Sequence, residues 1–131
     1  MAKKKAKFDL ISYGRYSRWD RESNELPKIV DLTHKIPAIE DEEFGYIMEV
    51  KSAKGKRIYF MIEHPSFKDE SGKTVPPFTG EIFIKTNPFR FFLGDCIWHP
   101  VKDKVGIWKI TTKYDGKIIM EKSFEIFLPV R

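Results

Sequence analysis

The chain has one cysteine and three histidines among 131 residues, and nowhere a long apolar run. Each scarcity excludes something. Cys96 alone cannot close an intrachain disulfide, and it gives no sign of an oxidising compartment. No segment approaches the roughly 20 apolar residues that carry a helix across a bilayer. The opening "MAKKKAKFDLISY" starts positively, but no apolar stretch of about 7–15 residues follows, and Asp9 interrupts the first candidate. The expected setting is the cytoplasm, with no membrane partner. Absent as well are a phosphate-cradling glycine loop, a Gly-x-Ser-x-Gly elbow, a His-Glu-x-x-His pair and a Cys-x-x-Cys pair. No cofactor, metal or catalytic residue is therefore expected.

Charge of one sign is present but local. The formal net charge is +5, and Lys3, Lys4, Lys5 and Lys7 supply four of the 24 basic groups, leaving 20 against 19 acidic ones. The expectation is a mobile basic arm over 1–7 and a single nearly neutral domain over 8–131. Nucleic acid is expected to matter only at the arm.

Also missing is a helical stripe; alternation with a period of two dominates instead. Phe8, Leu10 and Ser12 share one side of "FDLISYGRY". Val30, Leu32, His34 and Ile36 line one face of "KIVDLTHKI". Phe44, Tyr46, Met48 and Val50 alternate with Gly45, Ile47, Glu49 and Lys51. Ile58, Phe60, Ile62 and His64 alternate with Arg57, Tyr59, Met61 and Glu63. "EIFIKT" and "FRFFLGDCIW" are further strands, with a Pro- and Gly-rich loop over 65–80 before them. Seven to eight short strands with polar turns predict an all-β, antiparallel sandwich, with a partly closed barrel as the alternative.

The last hairpin, "KITTKYDGKIIMEKSF", can be read in detail. A two-residue Asp115-Gly116 loop would set Ile110 against Glu121 and Trp108 against Ser123, mixing apolar with polar faces. A three-residue turn with Gly116 as a left-handed bulge residue avoids this. It predicts Lys113 opposite Lys117, Thr112 opposite Ile118, Ile110 opposite Met120, Lys109 opposite Glu121 and Gly106 near Phe124. Trp108 is expected to anchor the core, and Lys122 to lie near the sheet end with its ammonium in water.

Gly106, Trp108, Asp115, Gly116, Ser123 and Phe124 form a Gly-x-Trp strand, an Asp-Gly turn and a strand ending in Ser-Phe. In this pattern, and in "ISYGRY" and "FGYIMEV", the chain resembles a bacterial family known only as domain of unknown function 3859. The resemblance implies an immunoglobulin-like β-sandwich. It implies no activity, substrate or catalytic residue.

Candidate chemistry is sparse. His64, Asp95, Cys96 and His99 would have to converge to hold a metal, and the spacing of "DCIWH" fits no zinc pattern. Cys96 reads as a buried, inert thiol and His34 as a packed or hydrogen-bonded side chain. "IEDEEF" reads as a solvated acidic loop. Aromatics stand out, at 15% of residues. In "SYGRYSRWDR" they interleave with arginines, so Arg15, Tyr16, Arg18 and Trp19 form a candidate stacking, cationic surface. Phe91 and Phe92 are a second candidate, suited to burial on two faces or to a dimer contact. The function expected is a non-catalytic binding module acting on an unknown protein or on a second copy of itself. Carbohydrate or nucleic-acid binding through the aromatic and arginine surface is one alternative; a metal-dependent enzyme around His64, Cys96 and His99 is another.

Overall fold

The computed structural model describes residues 5–20, 22–23 and 25–129. The four residues that open the expected basic arm, 1–4, lie outside it. Nine strands are formed among the described residues: β1 Lys7–Tyr16, β2 Ile29–Asp31, β3 Lys35–Pro37, β4 Glu43–Lys51, β5 Arg57–Glu63, β6 Phe78–Phe83, β7 Phe89–Cys96, β8 Gly106–Tyr114 and β9 Lys117–Phe127. They make a four-stranded sheet in the order β2-β1-β4-β7 and a five-stranded sheet in the order β3-β9-β8-β5-β6. The two are open sheets packed face to face, not a closed barrel.

Alternation builds the core. Phe44, Tyr46, Met48 and Val50 of β4 meet Ile58 and Ile62 of β5, Trp108 and Ile110 of β8, and Phe124 and Ile126 of β9. Thr112 is buried among them; its hydroxyl lies 3.3 Å from the Tyr46 hydroxyl and donates to the Met120 carbonyl at 3.3 Å. Trp108 is wholly buried, and its indole N–H donates to the Lys104 carbonyl at 2.8 Å. Its ring meets Phe44 edge-on at 5.5 Å and Trp98 at 6.1 Å. Each such pair adds about 0.5–1.5 kcal/mol to simple burial.

Three expectations change. "KIVDLTHKI" is not one strand. β2 pairs with β1 in the first sheet, while β3 crosses over and pairs in parallel with β9 in the second. Only Ile36 of its supposed apolar face is buried; Val30 and Leu32 are 62% and 65% exposed. This crossover also adds the strand that brings the total to nine. In β1 an irregularity between Leu10 and Ser12 turns Ser12 outward, where its hydroxyl lies 2.9 Å from the Tyr16 hydroxyl, and Tyr13 takes the inner place.

The hairpin is the third. Tyr114 pairs directly with Lys117, and Asp115 and Gly116 both have positive φ, 51° and 75°. That is the tight two-residue turn whose twist matches the strands. The extra residue sits two places further on, where pairing passes from Lys113–Ile118 to Thr112–Met120. Trp108 therefore faces Phe124, Lys109 faces Ser123 and Gly106 faces Ile126. The matching of faces is as expected, but the bulge that secures it is in β9 rather than in the turn. Lys109 still reaches Glu121 diagonally at 4.0 Å. Lys122 lies not at a sheet end but opposite Ile110, with its ammonium 4.5 Å from the centre of the Tyr13 ring.

Two glycines of the hairpin are fixed for different reasons. Gly116 has positive φ with open space around it. Gly106 also has positive φ, 134°, and a Cβ there would stand 2.7 Å from the Pro65 ring. Gly116→Ala is thus expected to cost about 1–2 kcal/mol of backbone strain alone. Gly106→Ala should cost more, and Trp108→Ala about 3–5 kcal/mol. Urea unfolding midpoints should show Gly116→Ala as the mildest of the three; equal losses at 106 and 116 would contradict the packing of Pro65.

Candidate functional site

The arginine–tyrosine stretch is drawn into the fold. Arg15 pairs with Asp31 at 3.9 Å and its Nε donates to Glu42, a hydrogen bond that raises the guanidinium pKa above its ordinary value. Tyr16 stands on the outer face of the four-stranded sheet beside Ile47 and Phe92. Trp19 and Leu26, which follow β1 in the chain, pack over these three side chains. Trp19 packs edge-on against Phe92 at 5.1 Å, Leu26 joins it, and the Trp19 indole N–H donates to the Glu25 carbonyl at 3.2 Å. The Trp19 amide donates to the buried Glu43 carboxylate at 3.3 Å, which ties the loop to the sheet.

Tyr16, Phe91 and Phe92 are each only 4% exposed. They cannot form the stacking surface expected from the sequence. Phe91 enters the main core and Phe92 the smaller cluster on the opposite face. Burial on two faces is thus the arrangement found. Of the expected group, Arg18 is exposed, and Arg15 and Trp19 are partly so. The acidic run is not simply solvated either: Glu42 holds Arg15, and Glu43 is buried.

His64, Asp95, Cys96 and His99 do not converge. Among the described residues no group of three or more His, Cys, Asp or Glu could hold a metal. Both ring nitrogens of His64 meet backbone carbonyls, Pro65 at 2.8 Å and Pro76 at 2.9 Å. Its ring lies against Phe67, Phe78 and Trp108. His34 is exposed but stacks on Tyr13 at 4.5 Å. Near this end of the sandwich Lys104 is buried, its ammonium 4.5 Å from the centre of the Trp98 ring and 4.7 Å from that of Phe67, and it donates to the Pro100 carbonyl at 2.9 Å.

The open surface lies on the other sheet. The outer faces of β5, β6, β8 and β9 line a shallow concavity of about 670 Å³. Its middle is apolar, with Tyr59 53% and Ile118 56% exposed and Met61 between them and Thr79. Glu63, Lys109, Glu81 and Glu121 lie around Tyr59 and Met61, and Lys113 stands between Tyr59 and Ile118. Arg57 lies beyond, paired with Glu81 and set over the Phe83 ring. Alternation in the sequence assigned Arg57, Tyr59, Met61 and Glu63 to the polar side of β5. The signal was there: Tyr59 and Met61 are two large apolar groups on a side that water should have claimed.

The family model for a domain of unknown function, DUF3859, matches residues 4–126. The chain belongs to the DUF3859 family. Among solved structures it is similar to an immunoglobulin-like protein from Pseudomonas aeruginosa, with a TM-score of 0.75 at 15% identity, over 97% of this chain and 100% of that one. At such identity the likeness speaks for the fold. No curated protein matches. Within the described residues of this DUF3859 chain no helix is long and apolar enough to cross a membrane.

Burial raises the Tyr16 phenol to about 12, from an ordinary value of 10.0, against the opposing pull of its hydrogen bond with Ser12. The unfolded chain therefore loses this proton first as pH rises. The contribution is fully present below pH 10 and is lost as pH climbs through about 12. Burial pushes Tyr46 upward too. Urea midpoints should fall over this window, and less steeply for Tyr16→Phe. A Tyr16→Phe profile parallel to that of the wild type would place the phenol in water.

Proposed function

We propose that this chain is a non-catalytic interaction module whose working surface is the outer face of the five-stranded sheet. The supporting observation is the contrast between its two outer faces. That of the four-stranded sheet carries its own cover, Trp19 and Leu26, over Tyr16, Ile47 and Phe92. That of the five-stranded sheet leaves Tyr59 and Met61 open to water among Glu63, Lys109, Glu81 and Lys113, with Ile118 exposed beyond Lys113. An apolar centre within a polar rim is the composition of a protein-binding patch. Arg15, Tyr16 and Trp19 are assigned to fastening the cover.

The alternatives fit this face less well. A sugar platform needs stacked aromatic rings, and the exposed ring next to Tyr59, Phe83, is already topped by the Arg57 guanidinium at 5.7 Å. Glu63, Glu81 and Glu121 would repel a phosphate backbone. A photo-reactive side chain at position 118 is expected to crosslink a defined protein in the cell, identified by mass spectrometry, while the same group at Lys54, an exposed turn position, does not. Equal labelling from both positions, or none from 118, would contradict the reading.

A further inference from the structure

The charges on the open face are unevenly placed. Strand register orders its outward side chains in rows across the sheet. Glu63 stands beside Lys109; Thr79, Met61, Thr111 and Glu121 follow; then Glu81, Tyr59, Lys113 and Ile118; then Phe83 and Arg57. One end gathers Glu63, Glu121 and the exposed Glu125 around Lys109. The other sets Arg57 and Lys113 around Glu81. The apolar side chains Tyr59 and Met61 lie on the line between the two ends.

Resting on the assignment of this face as the working surface, we propose that its partner is a second copy of the chain, packed face to face about a two-fold axis. The axis runs across the strands, between the Met61–Thr111 row and the Tyr59–Lys113 row. This symmetry reverses the strand direction, so each copy lays its acidic end on the basic end of the other. Arg57 then meets the partner's Glu63, Lys113 stands beside the partner's Glu121, and Met61 lies on the partner's Tyr59. Opposite charges meet twice, as an isologous interface requires, and thioether sulfur on an aromatic ring is a favourable contact. No other occupant has its charge order dictated by the face itself.

Area sets the strength. Four long strands at roughly 4.8 Å spacing, each seven residues of about 3.4 Å, cover on the order of 450 Å². A lasting interface buries about 800 Å² per partner. The dimer is therefore weak and reversible, and sensitive to salt because its charged contacts lie at the rim.

Sedimentation of the full chain from micromolar to millimolar concentration tests this. The mass is expected to rise from 15.5 kDa toward twice that value, and the rise should shrink as salt is added. Lys113→Glu and Glu121→Lys should each hold the chain at monomer mass. Mixed in equal amounts they should recover the association, because each variant then supplies the charge the other lacks; a misfolded variant could not do so. A wild-type monomer at every concentration would overturn the second-copy assignment, and a crosslink from position 118 to a different protein would then leave the working surface standing. A dimer indifferent to both substitutions would place the interface elsewhere and overturn both readings.

Discussion

One indole holds the closed end of this sandwich in place. Trp108 is buried on every side, and its N–H donates to the Lys104 carbonyl. That bond fixes the short 3-10 turn Lys102–Lys104 against the core. The turn in turn delivers the Lys104 ammonium onto the Trp98 and Phe67 rings, where the cation is held by the Asp103 carboxylate, the Pro100 carbonyl and the two π faces. Gly106, two residues before the indole, lets Pro65 lie close enough to bring Phe67 and His64 over the same ring. The Gly-x-Trp pattern thus records two contacts at once: a backbone approach and a filled core.

Rigidity at that end leaves the rest of the molecule free to differ between its two outer surfaces. The loop over the four-stranded sheet contributes Trp19 and Leu26 to a small second core and ties itself down through Glu25 and Glu43. Among the described residues the five-stranded sheet has no such loop, because the connections of β5, β8 and β9 are either tight turns or lead to the end where Trp108 lies. Its outer face is exposed by topology, and its apolar residues are therefore conspicuous.

The layers and the principal core were legible in the sequence because alternation reports burial directly. Phe44, Tyr46, Met48, Val50, Ile58 and Ile62 could be assigned inward from spacing alone, as could Trp108. The parity of the last hairpin was legible for the same reason. What spacing does not encode is where an odd residue is absorbed: a bulge in the turn and a bulge at Ile119 give strands the same facing sides. Nor does it reveal a strand that changes sheets, as "KIVDLTHKI" does between β2 and β3, since each fragment is too short to show a period. The aromatic–arginine stretch was misjudged because exposure depends on what folds back over a side chain. Nothing local in "SYGRYSRWDR" says that its own continuation will cover Tyr16.

Indole hydrogen exchange separates these claims with one spectrum, since the chain has three tryptophans, at positions 19, 98 and 108. The Trp108 N–H should exchange slowest by a wide margin, opening only when the whole sandwich unfolds, and the Trp19 N–H should exchange faster through local opening of its loop. A Trp108 N–H that exchanges as fast as that of Trp19 would contradict the closed aromatic end on which the fold is argued to depend.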